Sequence, residues 1–149
     1  MTAYLTRVIR FSAAHRYYRT EWSDERNYAV FGACANPHGH GHNYTLEVMV
    51  AGVPDPATGF SVSLAQLDAV LRQEVITSLD HQNLNFAIPE FGDGGLIPTT
   101  ENLVIWIWNR IATLLPARLV RLRLYEEPGL FVDYMGEPSP PDPDRPRFV

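Results

Sequence analysis

The chain has 149 residues, of which 46% are hydrophobic and 11% aromatic, and its formal net charge is −5 at pH 7. This length predicts one domain with a proper hydrophobic core, and the apolar content argues against disorder. The acidic balance disfavours nonspecific nucleic-acid binding. The longest apolar run, residues 103–108, is too short to span a bilayer, and the alternating N-terminus is unlike a signal peptide. The single cysteine, Cys34, cannot form an internal disulfide, so we expect a soluble cytoplasmic protein.

The first third of the chain predicts two strands separated by a long loop. Residues 4–13 alternate between apolar and polar side chains, as a half-buried strand does. Residues 17–31 are polar and aromatic without a clear period, which indicates a long loop. Residues 42–51 alternate again, and Tyr44 lies on the face that carries His42.

Two helices and two further strands are predicted after this. Ser63 begins an apolar pattern of helical period that continues to about Ser78. Thr99 or Thr100 caps a second helix, which Pro116 is expected to end. Strands at residues 120–126 and 130–135 follow, joined by a tight turn. The order ββααββ predicts an α+β domain over residues 1–136, with two helices on one face of an antiparallel sheet, and the proline-rich residues 137–149 predict an extended arm.

Three histidines at alternate positions are the most informative feature of the chain. The run of residues 34–44 reads CANPHGHGHNY. Side chains two apart on a strand share a face, so two of these imidazoles can bind one metal ion. His15, at the end of the first strand, can supply a third ligand and leave an open position, as in catalytic zinc sites. The residues alone leave two registers open, His38 with His40 or His40 with His42, and nickel, copper or ferrous iron would also suit the ligands.

Other candidate residues are weaker by themselves. Cys34 lies six positions before His40, where a cation would favour its thiolate, although a single cysteine is more often buried and inert. Asp80 and His81 can form an acid–base pair, although Asp80 can equally cap the preceding helix. Glu126 can bind a guanidine-like ligand edge or simply end its strand. Glu101 can do similar work, but the helix dipole alone explains it.

Taken together, these motifs resemble the 6-pyruvoyl-tetrahydropterin synthase family, which includes the 6-carboxy-tetrahydropterin synthases of queuosine biosynthesis. The resemblance rests on five motifs in order across the chain: FSAAH, CANPHGHGHNY, LDHQNLN, PTTEN and LYEE. It implies the T-fold, a four-stranded antiparallel sheet with two helices on one face. It also implies that subunits join their sheets into trimeric barrels and stack as a homohexamer, with sites at subunit interfaces.

The resemblance further implies a chemistry for each motif. Zinc held by His15, His40 and His42 would bind the side-chain hydroxyls of 7,8-dihydroneopterin triphosphate. Cys34 would move side-chain protons, with Asp80 and His81 as a second acid–base pair. Glu126 would anchor the 2-amino pyrimidine edge of the pterin, with Thr100 and Glu101 in support. No nicotinamide is required, and Arg16, Arg19 and Arg26 are candidates for the triphosphate by charge and position.

Two alternatives remain at this stage. Five residues separate Cys34 from His40 and three separate it from His38, so the spacings typical of the pyruvoyl-forming and carboxy-forming branches are both met. The HGHNY continuation and the chain length favour the pyruvoyl-forming branch. A pterin- or zinc-binding T-fold protein without turnover is a third possibility, against which Cys34, Asp80 and His81 all argue.

Overall fold

A computed structural model describes residues 1–138 of the chain. The five strands are β1 (Ala3–His15), β2 (His40–Gly52), β3 (Gln82–Asn83), β4 (Arg118–Glu127) and β5 (Leu130–Tyr134). They form one sheet in the order β3-β1-β2-β4-β5. The long strands are antiparallel neighbours, whereas β3 pairs with β1 in parallel over two residues. The predicted four-stranded sheet is therefore present with a short fifth strand at one edge.

The α-helices are α1 (Asp24–Phe31), α2 (Leu64–Leu71), α3 (Thr77–Leu79), α4 (Leu84–Ala87) and α5 (Thr100–Ile111). A π-helical turn over Arg72–Ile76 joins α2 to α3, so that the helical segment predicted from Ser63 is continuous to Leu79. Ser63 and Thr99 are the N-caps, and their hydroxyls accept from the backbone N–H groups three residues on. The second long helix ends at Ile111, whereas the sequence predicted that it would end at Pro116.

The long loop predicted over residues 17–31 is wrong in its second half, because α1 occupies Asp24–Phe31. Ser23 caps this helix through its hydroxyl, and two acidic residues follow in the first turn. Asn27 is its only buried residue, so the helix has no apolar stripe from which a period could have been read.

One face of the sheet packs against the helices and forms the core. Leu46, Leu122 and Leu124 are fully buried from the sheet side, and Leu67 and Ile107 from the helix side. In β1, β2 and β4, the apolar residues of the predicted alternation therefore face the helices, and the polar residues between them face the opposite side of the sheet. Within the described residues, no helix is long and apolar enough to cross a membrane. Of the predicted C-terminal arm, residues 139–149 lie outside the described part of the chain.

Candidate metal centre

Antiparallel pairing of β1 with β2 brings three histidines to one end of the sheet. His15 is paired with His40, and Ala13 is paired with His42. Positions two apart share a face, so His15, His40 and His42 all project from the side of the sheet that carries the core. Their candidate ligand atoms all lie within 4.8 Å of one another. The structure therefore groups His40 with His42, and His38 is exposed outside this cluster.

Glycines at alternate positions allow this close approach. Gly39 has φ +64°, which favours glycine, and a Cβ there would lie 2.5 Å from the carbonyl oxygen of His15. A Cβ on Gly41 would lie 3.1 Å from the carbonyl oxygen of Ala13. The HGHGH sequence thus combines ligand side chains with one position, Gly39, that excludes a side chain and another, Gly41, where a side chain would be tight.

The cluster has the geometry and chemistry of a metal site. His15 Nε2 and His40 Nε2 are 3.3 Å apart. Two nitrogens bound to one tetrahedral zinc at about 2.05 Å would also be about 3.3 Å apart. His42 Nε2 is buried without a hydrogen-bond partner among the described residues, although Glu126 Oε1 lies 3.3 Å away. A buried nitrogen without a partner is costly unless something else binds it, so these three residues fit a divalent metal ion.

His15, the most buried of the three candidate ligands, is held in one protonation state and one ring orientation. His15 is fully buried, and desolvation lowers its pKa to about 4, which keeps the imidazole neutral as metal binding requires. The hydroxyl of Tyr44, also fully buried, lies 3.1 Å from His15 Nδ1. This contact leaves Nε2 directed at the cluster and fixes the orientation of the ring.

The carboxylate of Glu126 lies beside the histidines, with its Oε1 3.3 Å from His42 Nε2. The pairing of Thr45 with Tyr125 puts Glu126 at the end of β4 that adjoins the cluster. Its Oε2 accepts hydrogen bonds from the hydroxyl of Thr100, the first residue of α5, and from Tyr17 at 3.4 Å. Glu101, by contrast, is exposed at the helix start.

Cys34 also lies at the cluster. It is part of a 3₁₀ turn over Gly32–Ala35, and its carbonyl accepts from the N–H of Tyr17 at 2.8 Å. Its Sγ is 3.8 Å from His40 Nε2. Burial, and next the negative charge of Glu126, raise the pKa of this thiol in the metal-free protein. A divalent cation held by the histidines would oppose both effects.

Asp80 and His81 form a pair at a different place. His81 Nδ1 lies 3.0 Å from Asp80 Oδ2, and Asp80 Oδ1 accepts from the N–H of Ser12 at 2.8 Å. The side chain of His81 is 82% exposed, and its φ of +58° is unusual for a residue other than glycine. Within residues 1–138, no hydrogen bond or ion pair joins this pair to the histidine cluster, Cys34 or Glu126.

A cavity lies beside the Asp80–His81 pair, and His15, His40, Cys34 and Glu126 do not line it. Its volume is about 410 Å³, and both His42 and His81 line it.

Tyr17 and Tyr44 were not predicted as site residues. The position of Tyr44 two residues after His42 was the available signal, because strand residues at this spacing share a face. Tyr17 lies beyond the end of β1, so it had no such signal.

A sheet covered by helices on one face, with three histidines, a thiol and a carboxylate at one end, defines an α+β protein with a candidate metal site. The family model described as 6-pyruvoyl tetrahydropterin synthase matches residues 4–137. The chain belongs to this family.

Similar proteins share most of their length with this chain. It is 43% identical over 136 residues to the 6-pyruvoyl tetrahydrobiopterin synthase of Homo sapiens, covering 91% of this chain and 92% of that protein. The solved 6-pyruvoyl tetrahydropterin synthase of Caenorhabditis elegans has a TM-score of 0.84 and 32% identity, over 92% of this chain and 97% of that one. A dihydroneopterin monophosphate aldolase of Pyrococcus furiosus is 34% identical over 118 residues, covering 78% of this chain and 82% of that protein.

Proposed function

We propose that this chain is a zinc-dependent 6-pyruvoyl-tetrahydropterin synthase. It would convert 7,8-dihydroneopterin triphosphate to 6-pyruvoyl-tetrahydropterin by eliminating triphosphate and redistributing electrons within the pterin, as a carbon–oxygen lyase acting on phosphates. The observation that carries the proposal is the convergence of three imidazoles beside a thiol and a carboxylate. The similarity to synthases of this name over most of the chain supports it.

His15, His40 and His42 would hold the zinc ion. Three neutral nitrogen ligands with room for a fourth are typical of catalytic zinc. A zinc ion bound there would act as a Lewis acid on the side-chain hydroxyls of the substrate and acidify the adjacent C–H bond. Tyr44 supports the proposal, because its contact with Nδ1 of His15 holds the ligand nitrogen of a fully buried ring towards the cluster.

Glu126 would bind the pterin ring. A carboxylate can accept two parallel hydrogen bonds from the guanidine-like edge formed by the 2-amino group and its neighbouring ring nitrogen. The hydroxyls of Thr100 and Tyr17 fix the Glu126 carboxylate in place before the substrate arrives. Glu101, exposed in the first turn of α5, would support this end of the site.

Cys34 would transfer protons at the substrate side chain. Its sulfur lies within 3.8 Å of a ligand nitrogen, so a substrate held at the cluster would place its acidic C–H bond near this sulfur. The thiolate is the form that accepts the proton, and the charge of a bound cation favours that form. Cys34 would therefore act as the general base, and as a thiol it would return the proton to the product.

Asp80 and His81 would be the second acid–base pair, with the carboxylate orienting the imidazole. The exposure of His81, and the lack of a hydrogen bond or ion pair from this pair to Cys34 within residues 1–138, support the expectation that sites form between subunits. In a homohexamer built as a dimer of trimers, the pair of one subunit would complete the site of another. Pairing of exposed strand edges between subunits would also remove edges that promote aggregation.

We further propose that residues 1–136 form the catalytic domain, with residues 137–149 as an extended arm, and that the protein acts in the cytoplasm on a small pterin, without nucleic acid or membrane. The second candidate is a 6-carboxy-tetrahydropterin synthase of queuosine biosynthesis, whose usual spacing is also met by Cys34 and His38. The third is a pterin- or zinc-binding T-fold protein without turnover.

Release of inorganic triphosphate tests the proposal. Zinc-loaded protein should release one triphosphate for each 7,8-dihydroneopterin triphosphate consumed under anaerobic conditions. His15→Ala should lose zinc and this activity together, because it removes the most buried ligand. Stoichiometric zinc without any triphosphate release would leave the binding-only alternative in place and overturn the proposed reaction.

A further inference from the structure

Tyr17 lies just beyond the end of β1 and contacts three parts of the candidate site. Its ring lies against the imidazole of His15, with centroids 4.5 Å apart and planes at 45°. Its hydroxyl lies 3.4 Å from Oε2 of Glu126, and its backbone N–H donates to the carbonyl of Cys34 at 2.8 Å. One residue therefore contacts a candidate metal ligand, the carboxylate and the backbone of the residue that carries the thiol.

The ring of Tyr17 also contacts the segment that leads into the thiol. We call Gly32–Ala35 the thiol turn, because this short 3₁₀ segment contains Cys34. Phe31 precedes it directly, and the rings of Tyr17 and Phe31 meet edge to face with centroids 6.1 Å apart. Phe31 in turn stacks on Trp22, with centroids 5.8 Å apart. The hydrogen bonds of a 3₁₀ turn are poorer than those of an α-helix, so the position of the thiol turn depends on such contacts.

The ring and the hydroxyl of Tyr17 have separate partners. The hydroxyl donates to Glu126, whose Oε2 also accepts from Thr100. The ring contacts His15 and Phe31. A tyrosine side chain is a rigid ring on two rotatable bonds, so contacts at the ring and at the hydroxyl fix it at little cost in conformational entropy. The side chain therefore joins the carboxylate to the metal ligand and to the thiol turn.

We infer that Tyr17 is a positioning residue for both the thiol and the carboxylate of the site. Its hydroxyl aligns Glu126, and its ring, through Phe31, holds the thiol turn and with it the place of Cys34 beside the metal cluster. The inference rests on the proposed function, in which Cys34 moves the proton and Glu126 binds the pterin ring. Misplacement of a reacting group by about 1 Å can cost about a hundredfold in rate, so the position of the thiol turn matters for turnover.

Two substitutions at this position separate the ring from the hydroxyl. Tyr17→Phe removes only the hydroxyl. Because Thr100 still donates to Glu126, the carboxylate loses one of its two donors, and KM should rise roughly tenfold while kcat stays the same. Tyr17→Leu also removes the ring contacts with His15 and Phe31, so kcat should fall about a hundredfold as well. Zinc should stay stoichiometric in both variants, since all three imidazoles remain.

Steady-state release of triphosphate by the zinc-loaded protein measures kcat and KM. Tyr18→Phe is the matched control, because Tyr18 is the next residue and its hydroxyl donates to Asp93 instead of Glu126. This control should keep both constants of the unmodified protein. Zinc content and far-UV circular dichroism are measured for each variant. Tyr17→Met, which keeps more of the side-chain length, replaces Tyr17→Leu if the latter does not fold.

Binding of unphosphorylated 7,8-dihydroneopterin, measured by isothermal titration, separates failure of this inference from failure of the proposed function. Tyr17→Phe should weaken this binding by the factor by which KM rises. If the unmodified protein is active and the folded, zinc-replete Tyr17 variants match Tyr18→Phe in kcat, KM and pterin binding, the positioning role is overturned and the proposed function stands.

Two other results would count against the positioning role. Equal losses of kcat in Tyr17→Phe and Tyr17→Leu, with KM unchanged, would overturn it, because the hydroxyl and not the ring would then govern turnover. Absence of turnover in the unmodified protein would reject the proposed function together with the role of the ring at the thiol turn. In that case, pterin affinity unchanged by Tyr17→Phe would reject the role of the hydroxyl at Glu126 as well, whereas weakened affinity would support it.

Discussion

Replacing Tyr44 with phenylalanine tests how the metal ligands are held. The Tyr44 hydroxyl lies 3.1 Å from His15 Nδ1, and both side chains are fully buried. The ring also stacks on Phe11, with centroids 5.0 Å apart and planes at 14°. Phenylalanine keeps this stacking and leaves no cavity, so the change isolates the hydroxyl.

The expected magnitude follows from these contacts. Loss of an outer partner of a metal-binding histidine costs roughly 10- to 100-fold in metal affinity. We therefore expect about tenfold weaker zinc binding, or roughly 1.4 kcal/mol. The metal-free protein should lose about 1 kcal/mol of unfolding free energy, the value of one neutral hydrogen bond.

Competition with a chromophoric chelator measures the zinc affinity, and urea unfolding of the metal-free protein measures the stability. Tyr28→Phe is the control, because it removes the same hydroxyl from a side chain that is 63% exposed on α1. Equal zinc affinity for Tyr44→Phe and Tyr28→Phe would refute the orienting role of the Tyr44 hydroxyl.

Three further predictions concern the remaining site residues. Cys34→Ala should keep its zinc by elemental analysis and lose at least about a hundredfold in turnover, as expected for loss of a proton-transfer group; full activity would show that Cys34 is not the base. Glu126→Gln should lower the Cys34 pKa in metal-free protein, because burial and then the Glu126 charge raise it; an unchanged rate of thiol alkylation at pH 7 would count against this. The Ser12 N–H, and next His81, hold the Asp80 pKa below its ordinary value of 3.8, so this stabilisation is present above that pH and lost as pH falls through the lower folded value. Asp80→Asn should therefore lose less stability on acidification than the unmodified protein in urea titrations, and an identical acid profile would contradict the assignment.

The fold could be predicted where a period or a cap was visible. The alternation of β1, β2 and β4 and the caps Ser63 and Thr99 all appear in the structure. Helix α1 could not be predicted, because it buries little apolar surface and its stability depends on capping and on contacts outside the helix. The two-residue strand β3 could not be predicted either, since its pairing with β1 depends on the tertiary path of the chain.

The metal cluster was largely predictable, and the rest of the site less so. Alternate histidines predict a shared face only where the backbone is extended. Strand β2 begins at His40, after Gly39 with its φ of +64°, so His38 does not share the face of His40 and His42. The sequence does not show where the strand begins. The structure places His42 in the cluster and leaves His38 exposed outside it. The separation of Asp80 and His81 from Cys34 could not be inferred, because residues distant in sequence meet, or fail to meet, only through packing.

The central claim is the reaction, and identifying the product tests it most directly. Zinc-loaded protein is incubated anaerobically with 7,8-dihydroneopterin triphosphate, and the pterin product is identified by mass. The account predicts 6-pyruvoyl-tetrahydropterin. A 6-carboxy-tetrahydropterin product with acetaldehyde, or unconverted substrate with metal-replete protein, would contradict it.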